Sequence, residues 1–226
     1  MNDGEAIYRL LDETNVSLIE FASGRHDAGS RSLAEAFAAD FYSETKRPAS
    51  ATLNRSQDVR GLRYGPLVLD SEATGASALL DAARGAFTYA RWTEFYRETP
   101  WSQPFLGSFA TGECIGSVGR FESNAITLGL FVLGPDTLYP AHAHPAEEFY
   151  IVVAGEAEFQ KGAKSEFVNK RKDDAIFHAS DVSHAIRTTS QPMLAVYGWR
   201  GQLKEPSWFR SDMGDETEAK QYPVLI

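Results

Sequence analysis

Two histidines two residues apart, a glutamate four residues further on and a third histidine about 40 residues later are the side chains of this sequence best suited to chemistry. They are His142, His144, Glu148 and His184, and four of the five histidines fall between 142 and 184. Alternate residues of a β-strand point to one face, so His142 and His144 share a side. Glu148 can reach that side, and Tyr150 follows on it two residues later. Three imidazoles and a carboxylate suit a single divalent transition metal: Zn, Fe or Mn, and equally Co or Ni. Four protein ligands on an octahedral ion leave two positions for substrate or water, the layout of a catalytic site rather than a closed structural one. A pair of histidines on a strand can also be structural. The carboxylate, the turn glycine Gly155 and the distant His184 at regular intervals favour the metal.

Such a set needs short strands to carry it, and the chain changes texture where it appears. From about residue 104, apolar or alternating runs such as AITLGLFVLG, EEFYIVVAGEAEFQ, DAIFHA and PMLAVYGW are separated by Gly, Pro, Asn and Asp. That pattern predicts a mainly β domain over 104–200, an antiparallel sandwich or barrel. Residues 1–103 read as helical. Ile7, Leu10, Leu11, Leu18 and Ile19 recur at helical spacing, and a second helix is expected over Leu33–Phe41. Residues 48–70 look irregular, punctuated by Pro48, Gly61, Gly65 and Pro66. A third helix is expected to start at Ser71 and Glu72. It carries Ala78, Leu79, Ala82, Ala86, Phe87, Ala90 and Phe95 on one stripe and stops at Pro100. Residues 201–226 form a polar, mixed tail.

The spacing H-x-H-x3-E-x6-G, met by His142, His144, Glu148 and Gly155, resembles the first motif of the cupins. The second motif is looser. Asp174 stands ten residues before His184, but Ala179 and Asp181 replace the usual proline and glycine, Thr188 replaces the usual asparagine, and a glycine expected ahead of the first motif is displaced to Gly134. The resemblance implies a double-stranded β-helix, or jelly-roll barrel, with an α-helical N-terminal extension. The segment YPAHAHPAEEFYIVVAGEAEF further resembles the cupin-type dimethylsulfoniopropionate lyases of marine bacteria, in particular through Glu148 and Tyr150 within AEEFY. The helical extension and the chain length match as well.

That resemblance implies a metal-dependent β-elimination giving acrylate and dimethyl sulfide. Tyr150 would be the base that takes the α-proton, and Tyr139, three residues before His142, would orient substrate or serve as base in its place. The substrate's sulfonium is a fixed cation, best met by aromatic faces. Trp199 and Tyr197 share a face of the last strand, and Phe149, Phe177 and Phe131 are further candidates. His178 is expected to hydrogen-bond substrate or support a ligand. An iron-dependent cupin dioxygenase would use the same ligand set, and a non-catalytic cupin binding a small ligand is the third reading.

Composition narrows the partners. With a net charge of −9 the chain is a poor match for nucleic acid or an anionic membrane. Its acidic amphipathic start lacks the pattern of a signal peptide, and no run approaches the roughly 18 apolar residues of a membrane span. A cytoplasmic location is therefore expected, with a small-molecule substrate and pairing into a homodimer. The single cysteine, Cys114 in GECIG, reads as a buried structural thiol.

Overall fold

The computed structural model describes residues 2–45, 58–73, 75–93, 95–96, 98, 100, 102–162, 164–209 and 220–221. The N-terminal helices are α1 (Asp3–Ser23), α2 (Ala28–Glu44), α3 (Tyr64–Asp70) and α4 (Ala78–Ala86), with a 3-10 turn at Arg60–Arg63 before α3. Asn2 starts α1: its side chain accepts the Glu5 N–H, and the Glu5 carboxylate reaches back to the Asn2 N–H, satisfying two helix-end donors at once. Ile7, Leu10, Leu11 and Leu18 are buried along one stripe, whereas Ile19 is half exposed.

Three expectations need correction. Helix α2 begins at Ala28, ahead of the expected Leu33, because Asp27 caps it through the Ser30 N–H. Residues 60–70 are helical rather than irregular; 48–57 lie outside the described residues. The expected helix from Ser71 through Phe95 is much shorter, because Ser77, not Ser71, supplies the cap by accepting the Leu80 N–H. That helix ends at Ala86, and β1 (Arg91–Thr93) then joins the sheet. Trp92 pairs with Gly112 there, and such long-range pairing overrides the local helical pattern.

A short α5 (Gln103–Leu106) precedes the remaining strands: β2 (Phe109–Gly116), β3 (Phe121–Glu122), β4 (Ile126–Leu133), β5 (Leu138–Ala143), β6 (Glu147–Ala154), β7 (Glu156–Lys161), β8 (Val168–Arg171), β9 (Ala175–His178), β10 (His184–Arg187), β11 (Met193–Arg200), β12 (Trp208–Phe209) and β13 (Lys220–Gln221). They form two sheets. One runs β1-β2-β4-β11-β6-β9 with β3 beside β2, and the other runs β13-β12-β5-β10-β7-β8. The fold is mainly β, a double-stranded β-helix with N-terminal helices, as the cupin motif implies. Sheet residues extend beyond 104–200 on both sides, at Arg91–Thr93 and at Trp208–Phe209.

Both faces of the first sheet are buried, which is why β4 is apolar throughout. Leu128, Leu130 and Val132 of β4, Phe149, Ile151 and Val153 of β6, and Leu194 and Val196 of β11 pack with the N-terminal helices. Their alternate neighbours Phe131, Tyr150, Val152, Ala195 and Tyr197 face the barrel interior with the second sheet. Gly155 turns β6 into β7 at φ +70°, where a Cβ would meet the Pro192 carbonyl oxygen at 2.2 Å. A residue with a side chain is excluded at that position.

The departures from the second cupin motif find their explanation here. Asp181 takes the left-handed conformation (φ 62°), which Asp tolerates better than most residues. The Thr188 hydroxyl donates to the Gly134 carbonyl at 2.5 Å and accepts the Thr137 N–H at 3.2 Å, tying down the turn between β4 and β5.

Candidate metal centre

His142 closes β5, His184 opens β10 directly opposite it, Glu148 lies on β6 and His144 sits in the short connection between β5 and β6. The two sheets thus bring together residues that the sequence separates by 42 positions. All four side chains are almost wholly buried, and one ligand atom from each lies within 4.8 Å of the others. That is close to the spacing of atoms held about 2.1 Å from a common centre.

The hydrogen bonds around the rings decide which nitrogens face inward. His142 Nδ1 is 2.9 Å from the Pro140 carbonyl, His144 Nδ1 is 2.8 Å from that of Ala146, and His184 Nδ1 is 2.9 Å from that of Val182. A carbonyl can only accept, so each Nδ1 carries the proton and donates it. In the neutral ring each Nε2 is then a lone pair. Two of these meet the same carboxylate oxygen: Glu148 Oε2 lies 3.2 Å from His144 Nε2 and 2.9 Å from His184 Nε2.

Acceptors packed this closely need either protons or a cation. Burial pulls the His144 imidazole down, but the Glu148 carboxylate outweighs it and raises it overall; the Glu148 carboxyl is in turn held well below its usual range despite burial, by His144 and His184. With the ring proton on Nδ1, His184 Nε2 faces Glu148 Oε2 at 2.9 Å as one acceptor against another, a costly state for buried polar atoms. Burial and the two neighbouring imidazoles keep His142 well below its usual range, hence neutral. Three rings fixed through Nδ1, with their Nε2 atoms gathered around one carboxylate, are the donor set that a divalent cation fits.

The surroundings sort the remaining expected residues. Trp199 stands opposite Glu148 in the ladder. Its indole N–H donates to Glu148 Oε1 at 2.5 Å, which leaves Oε2 to the histidines, and its ring lies 4.4 Å from that of His144. The tryptophan assigned to substrate therefore also holds a ligand. Tyr150 and Tyr197 are paired in the ladder and both are buried in the barrel. Burial first, and the Glu148 charge next, push the Tyr150 phenol well above its usual range. Tyr139 packs 4.2 Å from the His142 ring, and its hydroxyl is 2.6 Å from that of Tyr96. His178 is stacked on His184 at 4.0 Å and 14°, with neither ring nitrogen bonded.

A cavity of about 260 Å³ opens onto this centre, lined among others by Glu148, Tyr150, Tyr139, Trp199, Tyr197 and Phe131. Phe149 and Phe177, also considered for the substrate's cation, are corrected: strand alternation turns both to the helices, where they pack with Phe37. Cys114 is buried, with its thiol pushed up by burial.

Two residues at the site escaped the sequence. Tyr96 was absorbed into the overlong helix, and nothing in its surroundings marks it. Glu113 lines the same cavity; its signal was a lone carboxylate in the otherwise uncharged run ATGECIG.

Comparison with known proteins gives a consistent picture. The dimethylsulfoniopropionate lyase family model matches residues 23–195. The dimethylsulfoniopropionate lyase DddQ of Ruegeria pomeroyi is 34% identical over 154 residues, 66% of this chain and 76% of that protein. A putative dimethylsulfoniopropionate lyase, DddL of Cereibacter sphaeroides, is 27% identical over 165 residues, 71% of this chain and 63% of that protein. The crystal structure of DddQ from Ruegeria pomeroyi DSS-3 superposes with a TM-score of 0.62 at 24% identity, over 93% of this chain and 99% of that one. A chain from the crystal structures of the lyases RdDddP and RnDddQII gives 0.64 at 20% identity, over 93% and 100%. At these identities the two solved structures speak to the fold.

Proposed function

The chain belongs to the dimethylsulfoniopropionate lyase family and is a carbon–sulfur lyase, and from that premise we propose that it splits dimethylsulfoniopropionate into acrylate and dimethyl sulfide at the His142–His144–Glu148–His184 centre. One observation carries this reading: Glu148, in the donor cluster, and Tyr150 stand two apart on β6 and line one buried cavity.

The four residues would hold one divalent ion, Zn, Fe or Mn, through three Nε2 atoms and a Glu148 oxygen. When bound, that ion supplies positive charge for the substrate carboxylate, on which negative charge grows as the α-proton leaves. Tyr150 takes the α-proton. The C–H electron pair becomes the C=C bond, the C–S pair departs on sulfur, and the products are acrylate, neutral dimethyl sulfide and a proton. A neutral leaving group needs no acid.

Burial and Glu148 hold the phenol protonated, and only its phenolate can take the α-proton; positive charge at the centre acts in the opposite direction and favours that phenolate. Tyr139, hydrogen-bonded to Tyr96, orients the substrate and is the substitute base. Phe131, Tyr197 and Trp199 wall the part of the cavity that receives the sulfonium. Trp199 also fixes Glu148, and His178 backs His184.

The test is anaerobic incubation of metal-loaded protein with dimethylsulfoniopropionate, measuring acrylate and headspace dimethyl sulfide. Equal yields of the two without oxygen are expected. No turnover without oxygen, but consumption of substrate and oxygen with no dimethyl sulfide in a parallel aerobic incubation, would instead favour the iron-dependent dioxygenase, and binding without turnover in either the non-catalytic cupin.

A further inference from the structure

The cavity continues past the metal centre. Across the first sheet, Tyr150 on β6, Tyr197 on β11, Gly129 on β4, Glu113 on β2 and Arg91 on β1 stand directly opposite one another in register. Residues paired this way share a face of the sheet. One wall thus runs from the candidate base to a carboxylate, and Tyr150, Tyr197, Glu113 and Arg91 all line the cavity. Gly129 makes room on this wall: a Cβ there would lie 2.5 Å from Cε1 of the Tyr197 ring. The ring therefore lies across the glycine, toward the strand that carries Glu113.

Glu113 has a structural duty. Its Oε1 accepts the N–H groups of Val118 at 2.7 Å and Gly119 at 2.8 Å. That duty does not account for its charge. Burial lifts its carboxyl to about 7 in spite of both bonds and of Arg91, whose influence is the weakest of these. Arg91 is engaged with the same turn, donating to the Val118 carbonyl at 2.9 Å. A half-buried carboxylate whose charge is not fully matched, beside an aromatic ring, is a receptor for a cation that offers no hydrogen bond.

We infer that Glu113 and the Tyr197 ring form the subsite for the cationic end of the substrate, so that a fixed positive charge is a requirement for binding and not only for the leaving group. The inference rests on the lyase reading, which puts the substrate's carboxylate at the metal centre and sends its sulfonium away from it. β6 and β2 are three strand steps apart, about 14 Å at roughly 4.8 Å per step, and the side chains of Glu148 and Glu113 both project into that space.

Glu113→Gln separates charge from structure, because the amide oxygen can still accept the Val118 and Gly119 N–H groups. The probes are two isosteric carboxylates that differ only in charge, 3-(trimethylammonio)propionate and 4,4-dimethylpentanoate. Their binding to metal-loaded protein is measured by calorimetry. Wild type should prefer the cation by roughly tenfold or more, the size of one partly screened charge pair. Glu113→Gln should cut that preference several-fold, to the remainder that the aromatic rings supply, and leave the neutral probe within about twofold. A preference undiminished in Glu113→Gln, a wild type that binds both probes alike, or an equal loss for both probes in the variant would overturn the inference. Release of dimethyl sulfide from dimethylsulfoniopropionate is assayed in parallel. Wild type that shows the Glu113-dependent preference but releases none sinks the lyase reading and leaves the subsite standing.

Discussion

Phe149 and Tyr150 are neighbours on β6, yet they belong to two different interiors. Phe149 points to the helices, into packing built from Leu, Ala, Phe and Val. Tyr150 points into the barrel, among aromatic rings, the histidines and Glu148. The same division runs along β4 and β11. One sheet is thus the floor of an oily core and the wall of a reaction chamber. Alternation of side chains keeps the two apart at a distance of one residue. The helical side follows ordinary packing rules, where apolar volume is what counts. The barrel side holds groups that packing alone would reject: imidazoles, a carboxylate and buried phenols. The first side supplies the rigidity that lets the second keep such groups buried.

That division predicts which property each substitution moves. The largest effect is expected for His184→Ala, which removes a ligand: bound metal by elemental analysis and turnover should both fall below detection, with the fold intact by circular dichroism. Tyr150→Phe should reduce kcat by about 10³-fold, in the range of general-base removal, while bound metal and melting temperature stay near wild type. Phe149→Ala, one residue away, should do the reverse. It should cost about 3–5 kcal/mol of stability, read as a Tm lower by on the order of 10 °C, with kcat per folded molecule and metal content retained at low temperature. If Phe149→Ala empties the metal centre, or Tyr150→Phe unfolds the protein, the separation of the two faces fails.

Smaller effects refine the barrel side. Trp199→Phe keeps the ring beside His144 and removes the N–H that holds Glu148 Oε1. Metal affinity, measured by competition with a chelator, should weaken about 10- to 100-fold, as expected for a group that orients a ligand. Glu113 gives the smallest and the most pH-dependent effect. Its folded carboxyl is raised to about 7 from an ordinary 4.5, so between those values the native state holds a proton that the unfolded chain has lost. Stability from this group is therefore complete below about pH 4.5 and is lost as pH rises through about 7. Glu113→Gln should consequently gain on wild type as pH goes from 5 to 8, by on the order of 2 kcal/mol, followed by thermal melts across that range. A gap that does not change with pH would show that the carboxyl titrates normally.

The two interiors were also unequally legible in the sequence. The donor cluster could be read because a two-residue spacing on a strand fixes a face, and the H-x-H-x3-E-x6-G pattern registers three of its four residues against a turn at Gly155. His184 fell into place through its distance from Asp174, which the pairing of β10 with β5 and β7 converts into proximity. The same two-residue rule separates Phe149 from Glu148 and Tyr150, so its helix-facing position was within reach of periodicity.

Other features were not. The run from Ser71 to Phe95 carries a helical stripe; the cap at Ser77 shortens it at one end, and the pairing of Arg91–Thr93 with β2, a contact between segments some 20 residues apart, breaks it at the other. Tyr96 directly follows that run, ahead of the expected stop at Pro100, and its contact is to a hydroxyl partner 43 residues away. Trp199 could be placed on the right face, but its hydrogen bond to Glu148 depends on the ladder register between β6 and β11, which spacing does not supply.

In the proposed reaction, a metal held by His142, His144, Glu148 and His184 drives cleavage of a carbon–sulfur bond. Its most direct measurement is anaerobic dimethyl sulfide release from dimethylsulfoniopropionate by wild-type protein as isolated, after removal of metal with a chelator, and after adding back Zn, Fe or Mn singly. Release should disappear on stripping and return with at least one of the three ions. Undiminished release from protein whose metal content has been reduced to traces, or no release with any of the ions, would contradict it.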